Sequence, residues 1–84
     1  MLREEVAGRL NEIFREVFDD ERIQIFDAMT AKDVTGWDSL NHINLIVRVE
    51  QSFQIKFTLK EIMTYKNVGE FIGAIKHKLA SNAA

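Results

Sequence analysis

The sequence predicts an all-α domain: a four-helix bundle with a long first loop and a short third helix. Three observations carry this expectation. There is no proline and only four glycines, so little interrupts a helix. Apolar side chains recur at steps of three and four along most of the chain. The single alternating stretch, Phe53-Gln54-Ile55-Lys56-Phe57, has no second strand to pair with and reads as an extended connector.

The first helix is expected over about residues 2 to 18. Leu2, Val6, Leu10, Ile13, Phe14 and Val17 form one stripe, and Glu4 and Glu5 lie in the first turn, where the helix dipole favours acids. Its other face mixes Glu and Arg instead of being basic, so the stripe belongs against a core and not on a membrane surface. From Asp19 to Trp37 no comparable pattern appears. A connection of that length carries function or is pinned by its own apolar side chains, here Ile23, Ile25, Phe26, Met29 and Val34. Asp19-Asp20 lacks the ligand spacing of a calcium loop and is expected to end the helix.

The second helix begins at Asp38-Ser39, because an Asp or Ser before apolar periodicity can cap the free amides of a first turn. Leu40, Ile43, Leu45, Ile46, Val47, Val49 and Phe53 cover more than one face, as a central helix with several neighbours requires. Thr58-x-x-Glu61 and Asn67-x-x-Glu70 each resemble a reciprocal helix start. The first opens a short helix carrying Leu59, Ile62 and Met63. The second opens a helix from Val68 to about Leu79, with Val68, Phe71, Ile72, Ile75 and Leu79 inward. Gly8 and Gly73 each cost a helix about 1 kcal/mol relative to alanine, and close packing is the expected reason for them. One domain over residues 1–80, with a flexible tail over 81–84, uses the chain.

Composition narrows the function. At 46 % hydrophobic, 29 % charged and net charge -2, the chain has the composition of a soluble globule, not a disordered tail. Without cysteine it has no disulfide, no thiolate nucleophile and no cysteine-based zinc site, so any thiol must be imported. The 11 Lys and Arg are scattered among 13 acids, which argues against nucleic-acid binding. The one locally basic trio, Lys76-His77-Lys78, suits the negative end of a closing helix. Met1-Leu2-Arg3-Glu4-Glu5 puts charge where a signal peptide is apolar, and no run has membrane-spanning length. A cytoplasmic monomer is the expectation.

Ser39 is the candidate site. With Asp38 as cap, its hydroxyl faces solvent in the first turn, where free amides gather partial positive charge suited to an anion. His42, three residues on, suggests a serine nucleophile with its base, yet no acidic orienting partner or oxyanion site can be argued. His42 is therefore expected at the surface or facing a partner, and His77 at the surface. Trp37 either steers something attached at Ser39 or, as loop aromatics more often do, plugs the core.

Gly36-Trp37-Asp38-Ser39-Leu40 at the start of the second helix, the apolar run after it, Glu50 and Phe53 near its end, Ile55, and Asn67-Val68-Gly69-Glu70 together resemble the acyl carrier protein family over nearly the whole chain. The resemblance implies that a phosphopantetheinyl transferase attaches 4'-phosphopantetheine from coenzyme A to Ser39, that the arm's thiol holds an acyl group as a thioester, and that the chain has no catalytic activity of its own. It also implies that acyl-loading and acyl-processing enzymes dock on the second helix, at Asp38, Leu40, Asn41, His42, Asn44, Arg48 and Glu50. Relatives serving fatty acid biosynthesis usually show several acids along that helix. Here Asn41, Asn44, Arg48 and Gln51 leave only Glu50, which points to a specialised lipid, polyketide or other biosynthetic pathway. An aminoacyl or peptidyl carrier, or a helical interaction module in which Ser39 is only a cap, are the alternatives. Gln54 stands where relatives often have glycine, and a left-handed residue there is strained without it.

Overall fold

The computed structural model describes residues 2–82. The helices are α1 (Arg3–Val17), α2 (Ser39–Phe53), α3 (Leu59–Ile62) and α4 (Val68–Asn82), with one 3-10 turn, Ala31–Asp33, in the long first loop. No strand occurs among the described residues, in agreement with the expected all-α class.

The core is assembled from three helices. Val6, Leu10, Ile13 and Phe14 of α1 meet Leu45, Ile46, Val49 and Phe53 of α2 and Val68, Phe71, Ile72 and Ile75 of α4. Each set follows a spacing of three and four, which lines one face of a helix. No polar or charged residue is buried among the described residues, so the three are held together chiefly by hydrophobic burial.

Local chemistry sets the boundaries. Glu5 accepts the Leu2 amide at 2.9 Å to start α1. The helix closes where Asp19 turns left-handed at φ 51 and the Asp20 amide returns to the Arg15 carbonyl at 3.0 Å, a recurrent helix stop. Met29 and Val34 pin the first loop in the core, with Ile23 and Ile25 packed against it, but Phe26 is half exposed and is not a pin. Polar bonds complete the anchoring, from the Ile25 amide to Asn11 Oδ1 at 2.8 Å and from Arg15 Nε to the Ile23 carbonyl at 2.8 Å.

Gln54 ends α2 in the left-handed region, at φ 59 and ψ 47. The geometry that glycine would ease is thus kept with a side chain present. The connector then buries Ile55 and gives the Phe57 amide to the Glu50 carboxylate at 2.8 Å. In α3 the Thr58 and Glu61 caps form as expected, at 3.2 and 2.8 Å, although the helix has no buried residue.

At the start of α4 the amides of Val68 and Gly69 are taken by the first loop, at the carbonyls of Met29 and Asp27, 2.9 and 2.8 Å away. Asn67 Oδ1 caps the Glu70 amide at 2.9 Å. Gly69 has to be small here, since a Cβ would stand 3.0 Å from Asp27 Cβ and 3.1 Å from its carbonyl oxygen. Close packing does not account for Gly8 or Gly73, because a Cβ at either would meet nothing within 4 Å. Helix α4 runs past Leu79 to Asn82, so Ser81 and Asn82 of the expected tail are helical. Positions 83 and 84 lie outside the described residues. Among the described residues no helix is long and apolar enough to cross a membrane.

Candidate functional site

The approach to α2 is built by a tight turn. Gly36 sits at φ 89, a conformation that suits glycine, and its carbonyl accepts both the Asp38 amide at 2.9 Å and Asn41 Nδ2 at 2.7 Å. Asp38 then caps the helix, its Oδ1 taking the Asn41 amide at 2.8 Å. Ser39 is left as the exposed first residue of α2, where the helix has no internal acceptors for its first amides. The geometry is the one the sequence predicts.

Beside Ser39 opens a cavity of about 650 Å³, walled by the 3-10 turn, the start of α2 and the stretch from Tyr65 into α4. Trp37, His42, Tyr65 and Phe71 give it aromatic walls, and Lys32 and Lys66 border it. Burial holds the Tyr65 hydroxyl above its ordinary value, with the nearby Glu61 charge adding to the effect, so it stays neutral.

Trp37 is a packing plug, as loop aromatics more often are. It meets Phe14 edge-on at 5.2 Å and 84°, and Phe18 at 6.0 Å. Its Nε1–H donates to His42 Nδ1 at 3.1 Å, and His42 Nε2 lies 3.3 Å from the Ile62 carbonyl oxygen. The indole can only donate and the carbonyl can only accept, so the imidazole is the neutral tautomer carrying its proton on Nε2. With both ring nitrogens engaged, His42 is no base for Ser39. The expected surface position is corrected in one respect: the residue is half-buried and ties the entrance of α2 to α3.

Other polar residues expected on the docking face also have internal roles. Glu50 is half-buried on the Phe57 amide, Arg48 pairs with Glu16 of α1, and Asn41 joins Gly36 and Asn44. Beside the exposed Asn44, Arg48 and Gln51, α2 shows solvent an apolar patch: Leu40 is 71 % exposed, Ile43 46 % and Val47 43 %, with Leu59 69 % and Met63 79 % on and beside α3. Spacing of three and four placed Leu40, Ile43 and Val47 against neighbouring helices. The available signal was that α2 carries more apolar positions than one buried face can hold.

Helix α3 is fastened by charge. Lys78 Nζ lies 2.8 Å from the Glu61 carboxylate and over the Phe57 ring at 5.1 Å. Its hydrogen bond, followed by that of the Thr58 amide, holds the Glu61 carboxyl below the usual carboxylate range. Among the described residues no group of three or more His, Asp or Glu is placed to hold a metal ion.

The family described as the phosphopantetheine attachment site matches residues 8–75. The solution NMR structure of a holo acyl carrier protein from Geobacter metallireducens matches this fold with a TM-score of 0.87 and 42 % sequence identity, over 93 % of this chain and 90 % of that one. Comparison with the curated proteins gives no match.

Proposed function

This chain belongs to the phosphopantetheine attachment-site family, as an acyl carrier protein, and on that premise we propose that Ser39 is the residue that bears the 4'-phosphopantetheine arm. The observation that carries the reading is the placement of an exposed serine hydroxyl on the first residue of a capped fifteen-residue helix, at the mouth of a cavity. A phosphodiester there gains about 0.3–1 kcal/mol from the helix terminus, enough to favour it without immobilising it. When bound, the arm supplies the thiol that this cysteine-free chain lacks, and that thiol carries the acyl group. The chain's own contribution is to present the hydroxyl: Asp38 and Asn41 fix the first turn, and Trp37 fixes the loop before it.

Enzymes that load or process the cargo must approach this end of α2. They dock over Leu40, Ile43 and Val47, together with Leu59 and Met63, because this patch begins one residue beyond Ser39. Charge contributes little to that encounter. The Arg48 cation is offset by Glu16 and Glu50 is turned inward, so neither acts as a free rim charge that would steer association. Such a face fits a dedicated partner in a specialised biosynthetic pathway better than the basic patches of general fatty-acid enzymes. In turnover assays of the loaded carrier with a general ketoacyl synthase, Asn44→Glu combined with Gln51→Glu should raise the rate at low salt and steepen its salt dependence. Equal rates for the two proteins at low salt refute the re-specified docking face.

The attachment itself is tested by intact mass after incubation with coenzyme A and a promiscuous phosphopantetheinyl transferase. The full chain gains one arm, and Ser39→Ala gains none while keeping its helical circular dichroism, since Asp38 still caps α2. No gain with several transferases refutes the reading, and a gain in the alanine variant moves the site.

A further inference from the structure

The pair formed by Trp37 and His42 does more than fill space. With ring planes 24° apart and centroids 6.1 Å apart, and a 3.1 Å bond between Nε1 and Nδ1, the two rings meet edge to edge and not face over face. The bond therefore requires a bare Nδ1. A proton placed there points at the indole N–H, and the edge-on geometry keeps the imidazolium off the indole face, where a cation would be welcome. The bond from Nε2–H to the Ile62 carbonyl is open to both forms of the ring, since Nε2 carries a proton in each.

We propose that His42 is a proton-operated latch on Trp37. In its neutral form it holds the loop that leads into Ser39 against the end of α3, and in its protonated form it releases Trp37 while keeping its hold on α3. Trp37 directly precedes the Asp38 cap, and it shares with His42 the walls of the cavity that opens at Ser39. Release thus frees the loop-side wall of that cavity while His42 stays tied to α3. Histidine changes charge between about pH 5 and 8, so the latch responds to modest acidification.

The surroundings do not mask this. Lys32 from the 3-10 turn and Lys66 ahead of α4 border the same cavity and oppose a further positive charge, whereas Asp38 at the head of α2 favours one and Tyr65 stays neutral. Glu61, next to Ile62 on α3, is held on Lys78 of α4 with its carboxyl below the usual range. Its ion pair therefore persists over the range of about pH 5 to 8 in which an imidazole ordinarily changes charge. The other histidine, His77, lies exposed on α4.

Nuclear magnetic resonance of the full chain from pH 8 to pH 5 decides the matter. At pH 8 the imidazole nitrogen shifts of His42 should report the Nε2–H tautomer with a bare Nδ1. On acidification the indole proton of Trp37, the only tryptophan of the chain, should shift with the same midpoint as His42, and so should the amides of residues 34–37. The amides of α3 should hold their positions. In His42→Asn, whose Oδ1 accepts from the indole at every pH, the Trp37 shift should be lost, and in His77→Gln it should remain. A Nδ1–H tautomer at pH 8, an indole proton indifferent to the His42 titration, or an unchanged Trp37 titration in His42→Asn each overturns the latch.

Discussion

Helices α1 and α3 each begin with a Glu that accepts the amide at the helix start, and there the likeness ends. Fifteen-residue α1 buries Val6, Leu10, Ile13 and Phe14, while four-residue α3 has no fully buried residue and packs only Ile62 partly against the core. Hydrophobic burial needs no partner of defined chemistry, so α1 packs against both α2 and α4 and forms the scaffold that positions Ser39. A helix as short as α3 does not persist alone in water. It exists because Thr58 and Glu61 cap it, Lys78 holds Glu61, and His42 reaches the Ile62 carbonyl. The short helix that His42 ties to the start of α2 is thus held by polar bonds that can open singly, whereas the scaffold can only fail as a whole.

The largest expected effect lies on the scaffold side. Phe14 is fully buried and backs Trp37, so Phe14→Ala should cost about 3–5 kcal/mol in urea unfolding. A loss below about 1 kcal/mol would erase the contrast with α3, where exposed substitutions should stay within about 0.5 kcal/mol.

Next come the glycines. Gly69→Ala drives a methyl into Asp27 and should cost about 1–3 kcal/mol. Gly73→Ala, with open space around its Cβ, should add about 1 kcal/mol of stability through helix propensity. Equal signs for the two would show that the Asp27 contact is not what constrains Gly69.

The smallest effect belongs to α3. The Glu61 carboxyl is lowered in the folded chain, mainly by Lys78. Its contribution is therefore present at neutral pH and lost as pH falls through and below the carboxylate range. Amide-exchange protection of Leu59–Ile62 should drop on that acidification while α1 stays protected. In Glu61→Gln, protection of α3 should be lower at neutral pH and no longer respond to acid. An acid response that persists in that variant assigns the strap elsewhere.

Periodicity made the three long helices, the caps at Asp38, Thr58 and Asn67, and the exposed position of Ser39 legible, because each follows from neighbours within a few residues. Long-range facts were not legible. Whether Leu40, Ile43 and Val47 face a core or solvent depends on which side of α2 other helices occupy, and spacing is the same in either case. That His42 bridges Trp37 and Ile62, or that Glu50 turns to the Phe57 amide, depends on where the connector and α3 come to rest. Gln54 shows a local limit: the left-handed geometry was readable, but not that a glutamine would adopt it.

The central claim is that the arm is joined to Ser39 and to no other hydroxyl. Peptide mapping by fragmentation of the full chain, after transfer from coenzyme A, tests it most directly, since the only other serines are Ser52 and Ser81 and they fall on separable fragments. The added mass should reside wholly on the fragment ion that contains Ser39. Added mass on Ser52, Ser81 or a threonine, with Ser39 unmodified, would contradict the account.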